Sequence, residues 1–252
     1  MNTDSAWEAW GRQDPYFGVI TDPKFRNSEM TPEARREFFD SGQAHAEYVM
    51  QMIKQYIDPH FQPQSILDFG CGVGRLVVPF AKMAPVVVGM DVSSAMLVET
   101  KKNCDAHGID NVQLLVSDDA LTLLGQQFDL IHSYIVFQHI PAERGRTIFG
   151  NLLRHTPVGG VGAIHFCYSK SHYEETHGVA PQAAATAESA AGSSARVPNP
   201  LPPSADPEMQ MNPYHMNEVL FLLQKAGVSR FHVEFTDHGG ELGVFVFFQK
   251  SN

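Results

Sequence analysis

The segment Ser65-Ile66-Leu67 runs into Asp68 and then places glycines at 70, 72 and 74, ahead of a helical pattern. An apolar strand that ends in an acid and turns through glycines can carry a ligand against bare backbone, because no Cβ stands in the way. A nicotinamide or flavin site wants its third glycine at i+5, where helix and strand must touch. Arg75 occupies that position, and its long side chain would spoil such packing. An acid at the strand end suits a ligand bearing positive charge there better than a pyrophosphate.

Further acids stand at the ends of later strands. The run Val86-Val87-Val88-Gly89-Met90 is apolar, as a strand buried on both faces must be, and closes on Asp91. Asp91 is placed either to accept hydrogen bonds from two ribose hydroxyls or to cap the helix opening at Ser93-Ser94. A third strand, Val112–Val116, leads into Ser117-Asp118-Asp119-Ala120. A fourth runs through Asp129-Leu130-Ile131-His132-Ser133-Tyr134, with Asp129 structural at its start, and is followed by Ile135–Ile140. Pro157–Phe166 supplies a glycine turn and a fifth strand.

In this order and spacing the strand ends over residues 60–168 resemble the class I S-adenosylmethionine (SAM)-dependent methyltransferases, with the glycine run as their first motif. The resemblance implies SAM as cofactor, whose α-ammonium and sulfonium match the acid of that motif. The cofactor-binding set it implies is Asp68, Gly70, Cys71, Gly72, Gly74, Asp91, Val92, Met96, Asp118, Asp119, Ala120 and Ser133. In that family an acid followed by Ala at the third strand bonds the adenine amino group, which makes Asp119 the better match and Asp118 the backup. The implied fold is α/β, a three-layer, doubly wound, seven-stranded, mostly parallel sheet of order 3-2-1-4-5-7-6. An antiparallel C-terminal strand pair and an N-terminal helical extension complete it.

The size fits one decorated α/β domain: 252 residues, of which 43 % are hydrophobic. No apolar run approaches the roughly 18 residues of a membrane span, and Met1–Ser5 has no signal-peptide character, so no membrane partner is expected. Three scattered cysteines suit a reducing, cytoplasmic setting. Cys71 fits the glycine loop as a small residue rather than as a redox group. A formal charge of −10 argues against a nucleic-acid partner, which normally meets a clustered basic face. The expected acceptor is therefore a small molecule.

Residues 1–60 read as a lid or helical extension and 61–252 as the main domain. Trp7, Trp10, Tyr16, Phe17 and Phe25 give the first part aromatic weight, able to cover a ligand or only a helical face. Thr31-Pro32-Glu33 opens a helix that extends to about Tyr56, with Ser41-Gly42 a break or bend. Other helices are expected near 74–83, 93–107, 142–155 and 212–226, and strands over 230–235 and 243–248. The Ala/Ser/Pro-rich stretch from Val179 to Pro207 reads as the mobile part of an insertion at about 170–211, whose ends would join the acceptor pocket.

His139, just past the fourth strand at the ligand end, is the candidate catalytic base, with a purely structural ring as the alternative. His165, His172, His177 and His215 are further pocket candidates, and Tyr168 and Tyr214 candidate walls. None of the twelve histidines shows metal-ligand spacing, so no metal is expected. The function implied by the resemblance is methyl transfer from SAM to oxygen or nitrogen of a small molecule, such as a secondary metabolite or sugar. A SAM-binding regulatory or partner protein without catalysis stays open as the alternative.

Overall fold

Five of the six residues of Val86–Asp91 are buried, as covering on both faces requires. The computed structural model, which describes residues 3–171 and 206–251, places this segment as β2 within one seven-stranded sheet. The other strands of the sheet are β1 (Ser65–Phe69), β3 (Val112–Val116), β4 (Leu130–Ser133), β5 (Val161–Lys170), β6 (Val228–Asp237) and β7 (Glu241–Lys250). The order is β3-β2-β1-β4-β5-β7-β6, with β1 to β5 parallel and β7 antiparallel to both its neighbours. This is the order the resemblance implied.

Alternate residues of each strand serve opposite faces. Ile66, Val87, Phe245 and Phe247 pack with α3 (Pro32–Tyr56), α4 (Val77–Ala81) and α5 (Ser94–Ala106). Leu67, Val88, Val246 and Phe248 pack with α6 (Ala142–Arg154) and α7 (Met216–Lys225). Two further helices, α1 (Thr3–Gln13) and α2 (Pro15–Val19), place Trp10 and Tyr16 in the first of these cores.

The local signals act as their chemistry requires. Thr31 accepts a hydrogen bond from the Ala34 amide at 3.1 Å, and Pro32 opens α3. Ser93 caps α5 through the Met96 amide. Asp129 accepts from the amides of Gln64 and Ser65 at the edge of the sheet remote from the strand ends, a structural role as expected.

Three readings need correction. α3 continues unbroken through Ser41-Gly42, because a Cβ at position 42 would lie 2.2 Å from the Arg75 carbonyl oxygen and glycine lets the two segments meet. The helix expected over 74–83 is confined to Val77–Ala81, since the glycine loop holds its first residues in a turn. The helix expected from 212 starts at Met216, because Asn212 and Tyr214 spend their amides on the carbonyls of Gln138 and Cys167. The N-terminal helical extension that was expected is present as α1 and α2 followed by α3. The stretch expected to be a mobile insertion falls almost wholly in 172–205, outside the described residues, as do His172 and His177. Among the described residues no helix is long and apolar enough to cross a membrane.

Candidate active site

A cavity of about 720 Å³ opens at the carboxyl ends of the parallel strands, the edge where open α/β sheets bind ligands. Its floor is the turn after β1. Gly70 and Gly72 sit at φ +76° and +54°, in the left-handed region where a side chain is strained. A Cβ on Gly70 would meet Val136 at 2.4 Å, and one on Gly72 would meet Val19 at 2.6 Å. The amides of Gly70 and Cys71 both donate to the Met90 carbonyl, which pins the loop to the end of β2.

Asp91 is anchored in the wall by two backbone amides. One carboxylate oxygen accepts from the Gly72 amide at 2.8 Å and the other from the Ser93 amide at 2.9 Å. Burial pushes its pKa up to about 6 against the effect of those two bonds. Val92 and Met96 continue the wall beside it.

The two acids after β3 both reach the cavity, already engaged. Asp118 turns back on its own loop, accepting from the Thr122 amide and hydroxyl. Asp119 accepts from the Arg144 Nε at 2.8 Å, while the two Nη atoms of the same guanidinium hold Asp4 of α1. Arg144 is raised above its ordinary pKa, by Asp119 first and Asp4 next.

Beyond β4 the chain passes through Ile135 at φ +57°, a strained conformation for a β-branched residue, and then into Val136, Gln138 and His139. His139 lines the cavity but is heavily committed. Its Nδ1 lies 2.9 Å from the Gln210 carbonyl, its own carbonyl accepts from Thr3, and Trp7 meets its ring edge-on at 4.9 Å. Burial lowers its pKa, so the ring is neutral near pH 7, donates from Nδ1 to Gln210 and keeps a lone pair on Nε2.

The expected site residues therefore divide. Gly70, Gly72, Asp91, Val92, Met96, Asp118, Asp119 and His139 share one wall. Asp68, Cys71, Gly74, Ala120 and Ser133 are not among the lining residues. Asp68 is buried behind the wall, bound to His132 Nδ1 at 2.7 Å, and His132 Nε2 lies 3.2 Å from His45 Nε2. Gly74 lets the loop approach Thr100, where a Cβ would come within 2.7 Å. Cys71 is fully buried, and burial pushes its thiol pKa well up. Tyr214 is a core residue whose hydroxyl donates to the Ile140 carbonyl, and Tyr168 packs against Phe235. His165 sits behind the wall, bonded to Thr236.

Sequence reasoning missed several lining residues: Thr3, Asp4, Arg75, Tyr134, Arg144, Met209 and Met211. Of the N-terminal aromatics Trp7 covers the cavity, whereas Trp10 and Phe25 fill the core. For Arg75 a signal was available, since a long basic side chain directly after the glycine turn has to go somewhere near the ligand. The others have no local pattern.

Residues 66–160 match the family model of a methyltransferase domain. The 23S rRNA (uracil(1939)-C(5))-methyltransferase RlmD of Marinomonas sp. (strain MWYL1) is 29% identical over 129 residues, covering 45% of this chain and 29% of that protein. The ubiquinone biosynthesis O-methyltransferase of Dinoroseobacter shibae is 31% identical over 80 residues, 32% of each chain. The chain spans about a third of the length of these relatives. In fold it is similar to magnesium protoporphyrin IX methyltransferase from Synechocystis PCC 6803 with bound SAH (S-adenosylhomocysteine), with a TM-score of 0.63, 16% identity and 98% of both chains covered. It is also similar to the N-methyltransferase NodS from Bradyrhizobium japonicum WM9 in complex with SAH, with a TM-score of 0.59, 12% identity and both chains fully covered.

The relatives overturn one expectation. Several bear the names of RNA methyltransferases, so the exclusion of a nucleic-acid partner does not stand. Its weakness is physical: net charge is a sum over the whole chain and says little about any one surface.

Proposed function

The chain carries a class I SAM-dependent methyltransferase domain, and from that premise we propose that it transfers a methyl group from SAM to an oxygen or nitrogen of a small-molecule acceptor. The observation that carries this is the anchored Asp91 carboxylate facing a cavity floored by Gly70 and Gly72. A Cβ on either glycine would be strained and crowded, so the bare backbone there fits a ligand lying close against it. Asp91 would take the ribose hydroxyls, and the Asp118–Asp119 tip the adenine edge. Bound there, SAM supplies an electrophilic methyl group on a sulfonium.

The remaining work is alignment and exclusion of water. Trp7 and Ile20 from the N-terminal side and Met209 and Met211 from the far side line the rest of the cavity, whose volume suits a small ligand. These flexible thioethers and aromatic faces support an acceptor with apolar surface. His139 serves this reading as a positioning residue, holding Trp7 and the 209–211 segment in place. Among the described residues all three cysteines are free and buried, which supports a reducing, cytoplasmic setting.

Calorimetry with SAH, followed by transfer of labelled methyl from SAM to a panel of phenols, amines, sugars and RNA oligonucleotides, tests the proposal. SAH binding with label on a phenol, amine or sugar is the expected result. Label on RNA alone would replace the small-molecule reading. Binding without any transfer would favour the non-catalytic alternative.

A further inference from the structure

We propose that Arg75 holds the α-carboxylate at the amino-acid end of the cofactor. This rests on the cofactor reading above and deepens it, by assigning the charged tail to one side chain.

Arg75 follows the glycine turn and lines the cavity with Gly70, Gly72 and Tyr134. Its protein partners do not satisfy it. Nη1 reaches Ser41 Oγ only at 3.4 Å, and the buried Nε has no hydrogen-bond partner. Asp68 is the acid whose charge it feels most, but that carboxylate is bound to His132. Among the described residues Arg75 forms no ion pair. The other arginine of the cavity, Arg144, is saturated by Asp4 and Asp119.

An enclosed cation without a counter-ion is costly, and burial accordingly lowers the guanidinium pKa. An incoming carboxylate removes that cost and matches the planar fork with its two oxygens. The wall is acidic at the tips of β2 and β3 and basic beside the β1 turn. That polarity fits a ligand whose hydroxyls and amine lie at one end and whose carboxylate lies at the other.

The scaffold is shaped to keep the arginine there. Gly42, inside a 25-residue helix, sits where a Cβ would come within 2.2 Å of the Arg75 carbonyl oxygen and 3.0 Å of its Cγ. Glycine is a poor helix former, and the close passage of Arg75 accounts for it.

The test is calorimetry of the full chain with two ligands: SAH, and its decarboxylated analogue 5′-deoxy-5′-(3-aminopropylthio)adenosine. Wild type should bind SAH about 10- to 100-fold more tightly than the analogue, the worth of a charged hydrogen-bonded contact. Arg75→Met should lose that preference, with SAH weakened by the same factor and the analogue little changed. Arg75→Lys should fall between, having charge but no fork. The melting temperature of ligand-free Arg75→Met should not fall, because an unpaired cation has been removed. Equal binding of both ligands by wild type, or SAH bound by Arg75→Met as by wild type, overturns the assignment alone. Loss of both ligands together with a lower melting temperature makes Arg75 structural and also overturns it. Wild type that binds neither ligand overturns the cofactor reading, and this inference with it.

Discussion

Thr3 donates its hydroxyl to the main-chain oxygen of His139 across 2.7 Å, tying the first helix to the exit of the fourth strand. Two neighbours reinforce the tie. Asp4 is held by Arg144, and Glu8 accepts from the Ser93 hydroxyl and the Ala95 amide at the start of α5. The helix that covers the cavity is thus fastened to the exits of β4 and β2 and to α6.

Arg144→Leu should loosen that cover. Both of its ion pairs are partly exposed, with the arginine side chain 26% and Asp119 47% accessible, so the loss of global stability should be only about 1 kcal/mol. Hydrogen exchange of the α1 amides should nevertheless accelerate several-fold, since local opening responds to local ties. Unchanged α1 exchange would mean that the apolar contacts of Trp7 and Trp10 hold the helix alone.

Asp91 should give the protein an unusual pH response. Its folded pKa, about 6, lies above the ordinary carboxylate value of 3.8, so the native state binds this proton more tightly than the unfolded chain. Its contribution to stability is therefore greatest below pH about 4, falls as pH rises toward 6, and is flat above; the full change is on the order of 3 kcal/mol. Asp91→Asn should flatten that window in urea titrations at pH 4 to 7. SAH affinity of wild type should move the other way, weakening as pH drops below about 6, because a protonated carboxyl accepts hydroxyl hydrogen bonds less well.

His139→Ala should lose stability and SAH affinity together, with little separate effect on kcat. The variant gives up the Gln210 bond and the Trp7 contact, a loss of about 1–3 kcal/mol. A kcat decrease of 10²-fold or more with intact SAH affinity would instead identify it as the general base.

Gly42→Ala should destabilise, although helix propensity alone favours it by about 1 kcal/mol. The added methyl meets a backbone oxygen rather than a yielding side chain, so the overlap forces α3 or the glycine loop to move, at about 1–3 kcal/mol. A rise in the urea midpoint would show that α3 can shift away from Arg75 at little cost.

The sheet was legible because each parallel strand is a short apolar run with its own stop, and acids at three strand ends mark the edge where the cavity opens. The places of Asp91, Gly70 and Gly72 on the cavity were legible for the same local reason. Asp68 was misplaced because its partner, His132, lies 64 positions away on the adjacent strand, and no short-range pattern announces that pairing. The same holds for Arg144 with Asp4, 140 positions apart. Ser41-Gly42 looked like a break because glycine weakens an isolated helix, and the packing that overrides the penalty involves a distant backbone. The positive φ of Ile135 runs against its residue type and could only be seen in three dimensions.

The ties of the first helix also set an order of assembly. Thr3 cannot find the His139 carbonyl until 136 further residues have been made, which at roughly 5–20 residues per second takes about 7–27 s on the ribosome. During that interval Trp7 lacks the His139 ring against which it packs. The contacts from Gln210 to His139 and from Asp206 to Arg26 come later still. The cover of this cavity is therefore joined late, by a segment made 71 residues after His139 and before β6 and β7 are there to complete the sheet. Slowing translation ahead of codon 139 would prolong the exposure of Trp7 to chaperones without touching a single residue of the folded protein.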